Sequence, residues 1–303
     1  MKSLSGSKIE QYIFNSVNLV FMLLVMFCTV YPFWNTLAVS FNSAADTTRG
    51  GVTFWPRVFT FQNYRAVFTS GTIYNAFFIS VARTAIQTVT GVFFTAMLAY
   101  ALSRKNYVFR RFFTVILILS MYVNAGLIPN YFLIRSLGMI NTFWVYIIPG
   151  MISAFNFIII RTYIKTLPES IMESARIDGC GDFVIFTRIV LPLCLPVLAT
   201  IALFIAVGAW NSWFDTMIYN SGRVNLHTLQ YKLMEYLQSS QNQSRSAAAI
   251  GAMGMAENIS SSIVTPVSIR AAVTVVAALP ILILYPFLQR YFVTGINVGS
   301  VKE

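Results

Sequence analysis

Residues Glu173-Ser-Ala-Arg-Ile-Asp-Gly179, with Ile189-Val-Leu-Pro192 shortly after, form a charged, glycine-punctuated island between two apolar stretches. Ionised groups at that density stay in water, while the stretches on either side are apolar enough to leave it. The island, residues 164–189, therefore reads as a loop that joins two membrane spans and is free to meet a partner. The composition agrees: 57% of the 303 residues are hydrophobic and 10% are charged, against about 25% charged in a soluble domain. The fold class that follows is an all-α polytopic membrane protein.

A bilayer core about 30 Å thick takes about 20 apolar helical residues to cross. Six segments qualify, 13–40, 73–102, 112–134, 142–163, 190–214 and 267–289. Arg104, Lys105, Arg110 and Arg111 crowd one short connection, which marks it as cytoplasmic under the positive-inside rule. Alternation then puts the N-terminus, the 164–189 loop and the 290–303 tail inside, and 41–72, 135–141 and 215–266 outside. The net charge of +11 sits in such connections, so it describes membrane topology and excludes a nucleic-acid partner. The polar opening from Met1 to Gln11, and an apolar run too long for an h-region, lead us to expect no cleavable signal peptide.

Arg83 lies well inside the second span and carries two readings. It faces protein or a water-filled cavity, or it snorkels outward from a helix that begins early. Pro32, Pro129, Pro149, Pro280 and Pro286 fall in or at the ends of spans, where neighbouring helices can cover freed carbonyls. Residues 41–72, with Trp55-Pro56 and several aromatics, read as an ordered cap or an interfacial segment. The stretch Ser239 to Ser262 is rich in Ser, Asn, Gln, Gly and Ala, and is either a mobile linker or a docking surface. Cys28, Cys180 and Cys194 have no metal-ligand spacing and are expected as free thiols. His227 is expected at the surface.

Within the island, Thr166-Leu-Pro-Glu169 has the spacing of a capping box, with Pro168 in the first turn. A short helix should run from there to Asp178, with Gly179 as its left-handed cap. Asp182 is expected to cap a second helix leading to Ile189 and Pro192. Ile171, Met172 and Ala175 share a face and are expected as an exposed apolar ridge, for docking or for lying on lipid headgroups.

The spaced pattern of Glu173, Ser174, Ala175, Gly179, Ile189, Leu191 and Pro192 resembles the signature of permease subunits of binding-protein-dependent ABC importers. Ser174 stands where a second Ala is usual. Gly126-Leu-Ile-Pro129, Leu137 to Trp144, Pro149-Gly150 and Trp210 to Asp215 resemble the carbohydrate-uptake branch, of the LplC-like kind. The tail, with Gly295, Gly299 and Lys302, is similar to that of the second permease in maltose-type importers, where it reaches toward the ATPases. Glu303 replaces a common Gly.

The resemblance implies a six-helix, type I importer permease in a bacterial cell membrane, both termini cytoplasmic, paired with a second homologous permease and two ATPase subunits. ATP and Mg belong to those ATPases, and this chain holds no cofactor. Glu173, Ser174, Ala175, Arg176, Asp178, Gly179, Ile189, Leu191 and Pro192 would form the coupling helices on the ATPase. The 215–266 loop would engage an extracellular sugar-binding protein that delivers an oligosaccharide.

The sequence holds no G-x-x-x-x-G-K-[ST], no H-E-x-x-H, no G-x-S-x-G and no C-x-x-C, so no catalytic or metal site is expected. Sugars are held by aromatic faces and planar polar groups. Tyr122, Asn124, Asn130, Tyr131, Asn156, Trp210 and Asn211 are the candidates for lining a path, set against ordinary roles in interhelical packing. Two rival functions stand beside a sugar importer. An ABC permease for another solute lacks support from the tail and the Trp210-Asn211 region. An ATP-independent carrier would need carboxylates within spans, and only Asp215, at a span's edge, offers one.

Overall fold

The computed structural model describes residues 4–69, 71–239 and 265–298. Among these the secondary structure is helical, with one isolated antiparallel bridge between Asn42 and Phe59. Two compact units divide the chain, Met1–Ser70 with Glu235–Val276, and Gly71–Met234 with Ala277–Glu303.

In the first unit, α1 (Leu4–Ser40) is apolar around its circumference, and its stretch Glu10–Ser40 is long enough to cross a membrane. The segment after it is held by short helices and internal hydrogen bonds. Short helices α2 (Ala44–Thr48) and α3 (Gln62–Thr69) are tied back by the buried Asn63, whose Nδ2 donates to Ser40 O and Asn42 O at 2.9 and 2.8 Å. Asp46 pairs with Arg57 at 2.9 Å, and Trp34 Nε1 donates to Phe54 O at 2.8 Å. Each bond satisfies a backbone or charged group that the tight turns leave open.

The second unit is built on α4 (Gly71–Ser103), against which α7 (Ala154–Ile164) and α11 (Leu195–Asn211) pack. Ala76, Gly91, Thr95, Ala96 and Ala99 line its buried face, small residues that let apolar helices approach closely in lipid. At Gly91 the approach is close. A Cβ there would stand 3.0 Å from Ile205 Cδ1 of α11 and 3.6 Å from Met151 O. Gly91→Leu should therefore destabilise the bundle by about 1–3 kcal/mol, the usual cost of overpacking. A melting temperature equal to wild type in detergent would show that the seam yields freely.

Three segments expected as continuous spans are interrupted. Segment 112–134 divides into α5 (Arg110–Ser120) and α6 (Leu127–Ser136), separated by a turn in which Gly126 has φ of +85° and donates its N–H to Asn124 Oδ1. Segment 142–163 begins with a short 3-10 turn, Phe143–Tyr146, and becomes α-helical only at α7, where Ser153 is the cap. Pro149 lies in the gap and has no N–H to continue a helical ladder.

The third interruption follows α8 (Glu169–Ile177) and α9 (Asp182–Ile185). Helix continues from α9 through a π-turn, Phe186–Val190, into α10 (Leu191–Leu193). At Cys194, between Pro192 and Pro196, the axis then bends by 83° into α11. By length and composition, the described residues hold two membrane-crossing helices, or three if this bent pair is one span. After α11 come α12 (Phe214–Tyr219), a 3-10 turn, Val224–Leu226, then α13 (229–239) and α14 (Pro266–Val298).

Candidate functional site

The island folds as two short helices on a fixed turn. At its start the expected capping box does not form. Pro168 occupies the N-cap position with extended backbone, and Thr166 Oγ1 donates backward to Tyr163 O at 2.7 Å. Glu169 instead pairs with Lys105 from the loop after α4. The end of α8 matches expectation: Gly179 has φ of +82°, its N–H donates to Arg176 O at 3.0 Å, and Cys180 N donates to Ala175 O at 2.9 Å. Together these bonds make a Schellman motif, which closes the helix and satisfies two of its last carbonyls. No atom lies within 4 Å of a Cβ built on Gly179, so a substitution there is penalised by the backbone alone. Gly179→Val should cost about 1–2 kcal/mol locally and unseat the turn, whereas Gly179→Asn should keep most of the stability. Equal melting temperatures of the Val and Asn variants would show that the cap is dispensable.

Asp182 is the first residue of α9, not its cap, which is Gly181. Its carboxylate accepts from Arg176 at 3.0 Å and lies 3.6 Å from Arg104. Arg104 also donates to the Tyr100 hydroxyl and stacks on that ring, 4.3 Å from its centre. Met97, Tyr100, Arg176, Asp182 and Phe186 border a cleft of about 390 Å³ here. The apolar ridge is rearranged. Met172 and Ala175 turn inward and are buried, while Ile171, Ile177 and Phe183 remain exposed, Ile177 at 86%. Glu173, Ser174 and Asp178 are exposed, Ile189 and Leu191 are half-buried, and Pro192 is exposed.

The hydrogen bond from Arg176 holds the Asp182 carboxyl below its usual range, and that from Lys105 does the same for Glu169. Both folded values lie below the unfolded ones, so their contribution is complete above about pH 5 and is lost as pH falls through the lowered values, beneath about pH 4. Melting of the purified protein should be level from pH 8 to 5 and fall below 4, with a smaller fall in Asp182→Asn. An identical acid limb in that variant would remove Asp182 as a contributor.

The candidate path residues do not form one cluster. Asn156 is buried in the first turn of α7. Trp210 is buried at the end of α11, where its Nε1 donates to Ala277 O at 2.9 Å, an interhelical packing role. Tyr122 and Asn124 are exposed on the α5–α6 break, and Asn130 is exposed within the first turn of α6. Tyr131 stacks on Tyr219, with centroids 6.2 Å apart and planes 9° from parallel. Asn211 Oδ1 accepts from Gln230 at 3.3 Å. Of the tail residues, Gly295 lies within α14, while Gly299 and Lys302 fall outside the described residues, as does the polar stretch from position 240 onward.

Residues 91–298 match the family described as binding-protein-dependent transport system inner membrane component. The chain belongs to this family. LplC of Bacillus subtilis (strain 168) is 35% identical over 290 residues, covering 96% of this chain and 95% of that protein. The polygalacturonan/rhamnogalacturonan transport system permease YtcP of the same organism is 34% identical, covering 93% and 96%. Among solved structures, a chain of a bacterial ABC transporter involved in import of the acidic polysaccharide alginate aligns with a TM-score of 0.81 at 29% identity, over 93% of this chain and 98% of that one.

In this inner membrane component, one ion pair escaped sequence reasoning. Arg83 is buried and faces protein: it pairs with Asp215, donates to Ser212 O at 3.2 Å, and stacks 4.6 Å from the centre of the Tyr146 ring. Ser212 Oγ donates to the same carboxylate at 2.8 Å. The partners are 132 positions apart, so no local pattern announces the pair. What the sequence offers is one lone charge inside a span and one at a span's edge. His227 also departs from expectation, because it is buried, packs edge-on against Tyr231 and contacts Ser221 O at 3.2 Å. The cysteines are free thiols, as expected.

Proposed function

We propose that the chain is the permease subunit of an ATP-driven importer that translocates oligosaccharides delivered by an extracellular binding protein. The observation that carries this reading is the α8–Gly179–α9 unit. It leaves Glu173 exposed in the middle of α8, while Lys105–Glu169 and Arg104–Asp182 tie it to the end of α4. Such a unit can pass a push from a partner into α4. ATP and Mg act on two separate ATPase subunits, which close beneath Glu173, Ser174, Ala175, Arg176, Asp178 and Gly179. Ile189, Leu191 and Pro192 lie where the motion enters the bent α10–α11 pair, and the tail through Gly295, Gly299 and Lys302 adds a second ATPase contact. A second homologous permease completes the pathway.

The bundle crosses the cell membrane six times with both termini inside. The broken segments at 121–126 and 147–153 are tolerated where neighbouring protein covers them. Residues 215–266 receive the binding protein. The names of the relatives, together with the alginate importer, favour an acidic, uronide-containing glycan as cargo.

The test is purification of the tagged chain from native membranes in mild detergent, followed by reconstitution with whatever accompanies it. A second permease, a Walker-A ATPase, and ATPase activity raised by a binding protein loaded with an oligouronide are the expected results. A chain that purifies without an ATPase under several detergents would overturn the reading. Stimulation by a peptide-loaded or amino-acid-loaded binding protein alone would overturn the sugar assignment.

A further inference from the structure

A second cluster of charge lies on the same face of the unit but outside the coupling helices. Ser103, Arg110, Arg111, Thr114, Arg161 and Lys165 line a cleft of about 330 Å³ between the start of α5 and the end of α7. No carboxylate lines it. The ion pairs of Arg57, Arg83, Arg104, Lys105 and Arg176 leave all four cations of the cleft out.

Topology accounts for Arg110 and Arg111, which stand in the first turn of α5 beside the loop. It does not account for Arg161, which sits a turn inside α7 and is half-buried. Its Nε donates to Leu102 O at 3.1 Å and its guanidinium lies 5.9 Å from the Phe157 ring centre, so its aim is fixed. Its two terminal nitrogens find no acceptor among the described residues. The first turn of α5 adds to the positive field, because its N-cap, Phe109, offers no side-chain acceptor to the open N–H groups.

The shape of the surroundings selects the kind of anion. From the cleft, α5 presents Phe112, Val115, Ile116 and Leu119 on one exposed face at helical spacing. An anionic head beside the cations would therefore continue into apolar chains along that stripe. We propose that this cleft binds the headgroup phosphate of an anionic phospholipid, with Arg110, Arg111, Arg161 and Lys165 around the phosphate and the acyl chains on α5. Basic pockets between helices at the headgroup level recognise lipids in this way. The site is independent of the solute carried, and the proposed orientation enters only to place it in the leaflet that faces the 103–111 loop.

The test is native mass spectrometry of the full-length chain, purified with its accompanying subunits and titrated separately with dioleoylphosphatidylglycerol, dioleoylphosphatidylcholine and sodium phosphate. Wild type should retain phosphatidylglycerol in preference to phosphatidylcholine and ignore phosphate at equal concentration. Each lost cation should weaken that binding about fivefold, so Arg110→Gln/Lys165→Gln should lose about twenty-five-fold. Arg104, Lys105 and Arg111 remain to hold the topology of that variant, and its melting in phosphatidylcholine nanodiscs should match wild type. If the double variant fails to insert, Lys165→Gln alone carries the test at fivefold. Equal retention of the two lipids, unchanged binding by the variants, or phosphate binding as tight as the lipid would overturn the proposal. So would a cleft shielded from labelling only when an ATPase is present, which would assign it to a protein.

Discussion

Glu173→Lys should insert and fold normally yet reduce uptake by at least tenfold. Glu173 is exposed and makes no ion pair among the described residues, so its replacement removes no packing contact. The local cost is the lost attraction to Arg176 three positions on, a few tenths of a kcal/mol at a helix surface. In the proposed coupling contact the functional effect belongs to the ATPase: against a basic group there, reversing the charge of Glu173 replaces attraction with repulsion, which costs several kcal/mol at a close interface. Radiolabelled oligosaccharide uptake, alongside the melting temperature and the amount of protein in the membrane, separates the two effects. Uptake within twofold of wild type would remove Glu173 from the coupling contact. A drop in membrane abundance would mean that it serves the fold.

The largest effect on stability should come from Asp215→Asn. Arg83 has 2% of its side chain exposed, so removing its counter-charge strands a guanidinium among helices, where breaking a buried pair costs about 3–5 kcal/mol. Asp215 itself is 36% exposed, and water can replace part of the interaction. Ser212 O and the Tyr146 ring also remain for Arg83, so about 2–3 kcal/mol is expected for this variant. Arg83→Met should be milder, because it removes the costly charge and leaves Asp215 partly in water. In the double variant the two changes should be far from additive, since neither then strands a charge. Melting temperatures of the four proteins in one detergent decide the matter. An Asp215→Asn variant as stable as wild type, or strictly additive effects, would show that the pair is incidental.

These two predictions divide along the line between sequence and structure. The Gly179 cap, and the exposure of Glu173 and Pro192 in a charged segment, were legible because their signals are local. A helix end needs a left-handed residue within one or two positions, and a charged loop between apolar stretches must sit in water. The membrane class followed with equal directness, because partition between water and lipid depends on composition summed over about 20 residues. The Gly179 cap appears in the structure with the Schellman bonds that its position demands.

Tertiary structure decided what depends on neighbours distant in the chain. The Thr166 capping box gave way because Pro168 took the cap position and Lys105, 64 positions away, drew Glu169 outward. Met172 and Ala175 look like a docking ridge when the helix stands alone, and they became core once α8 lay against α4 and α7. The apolar runs 112–134 and 142–163 carry no local mark of their breaks beyond Asn124, Gly126 and Pro149. Hydropathy measures transfer to lipid and is blind to where a backbone turns. Arg83 had two readings in the sequence and one in the structure, because a buried charge is settled by its partner, and Asp215 arrives through the fold.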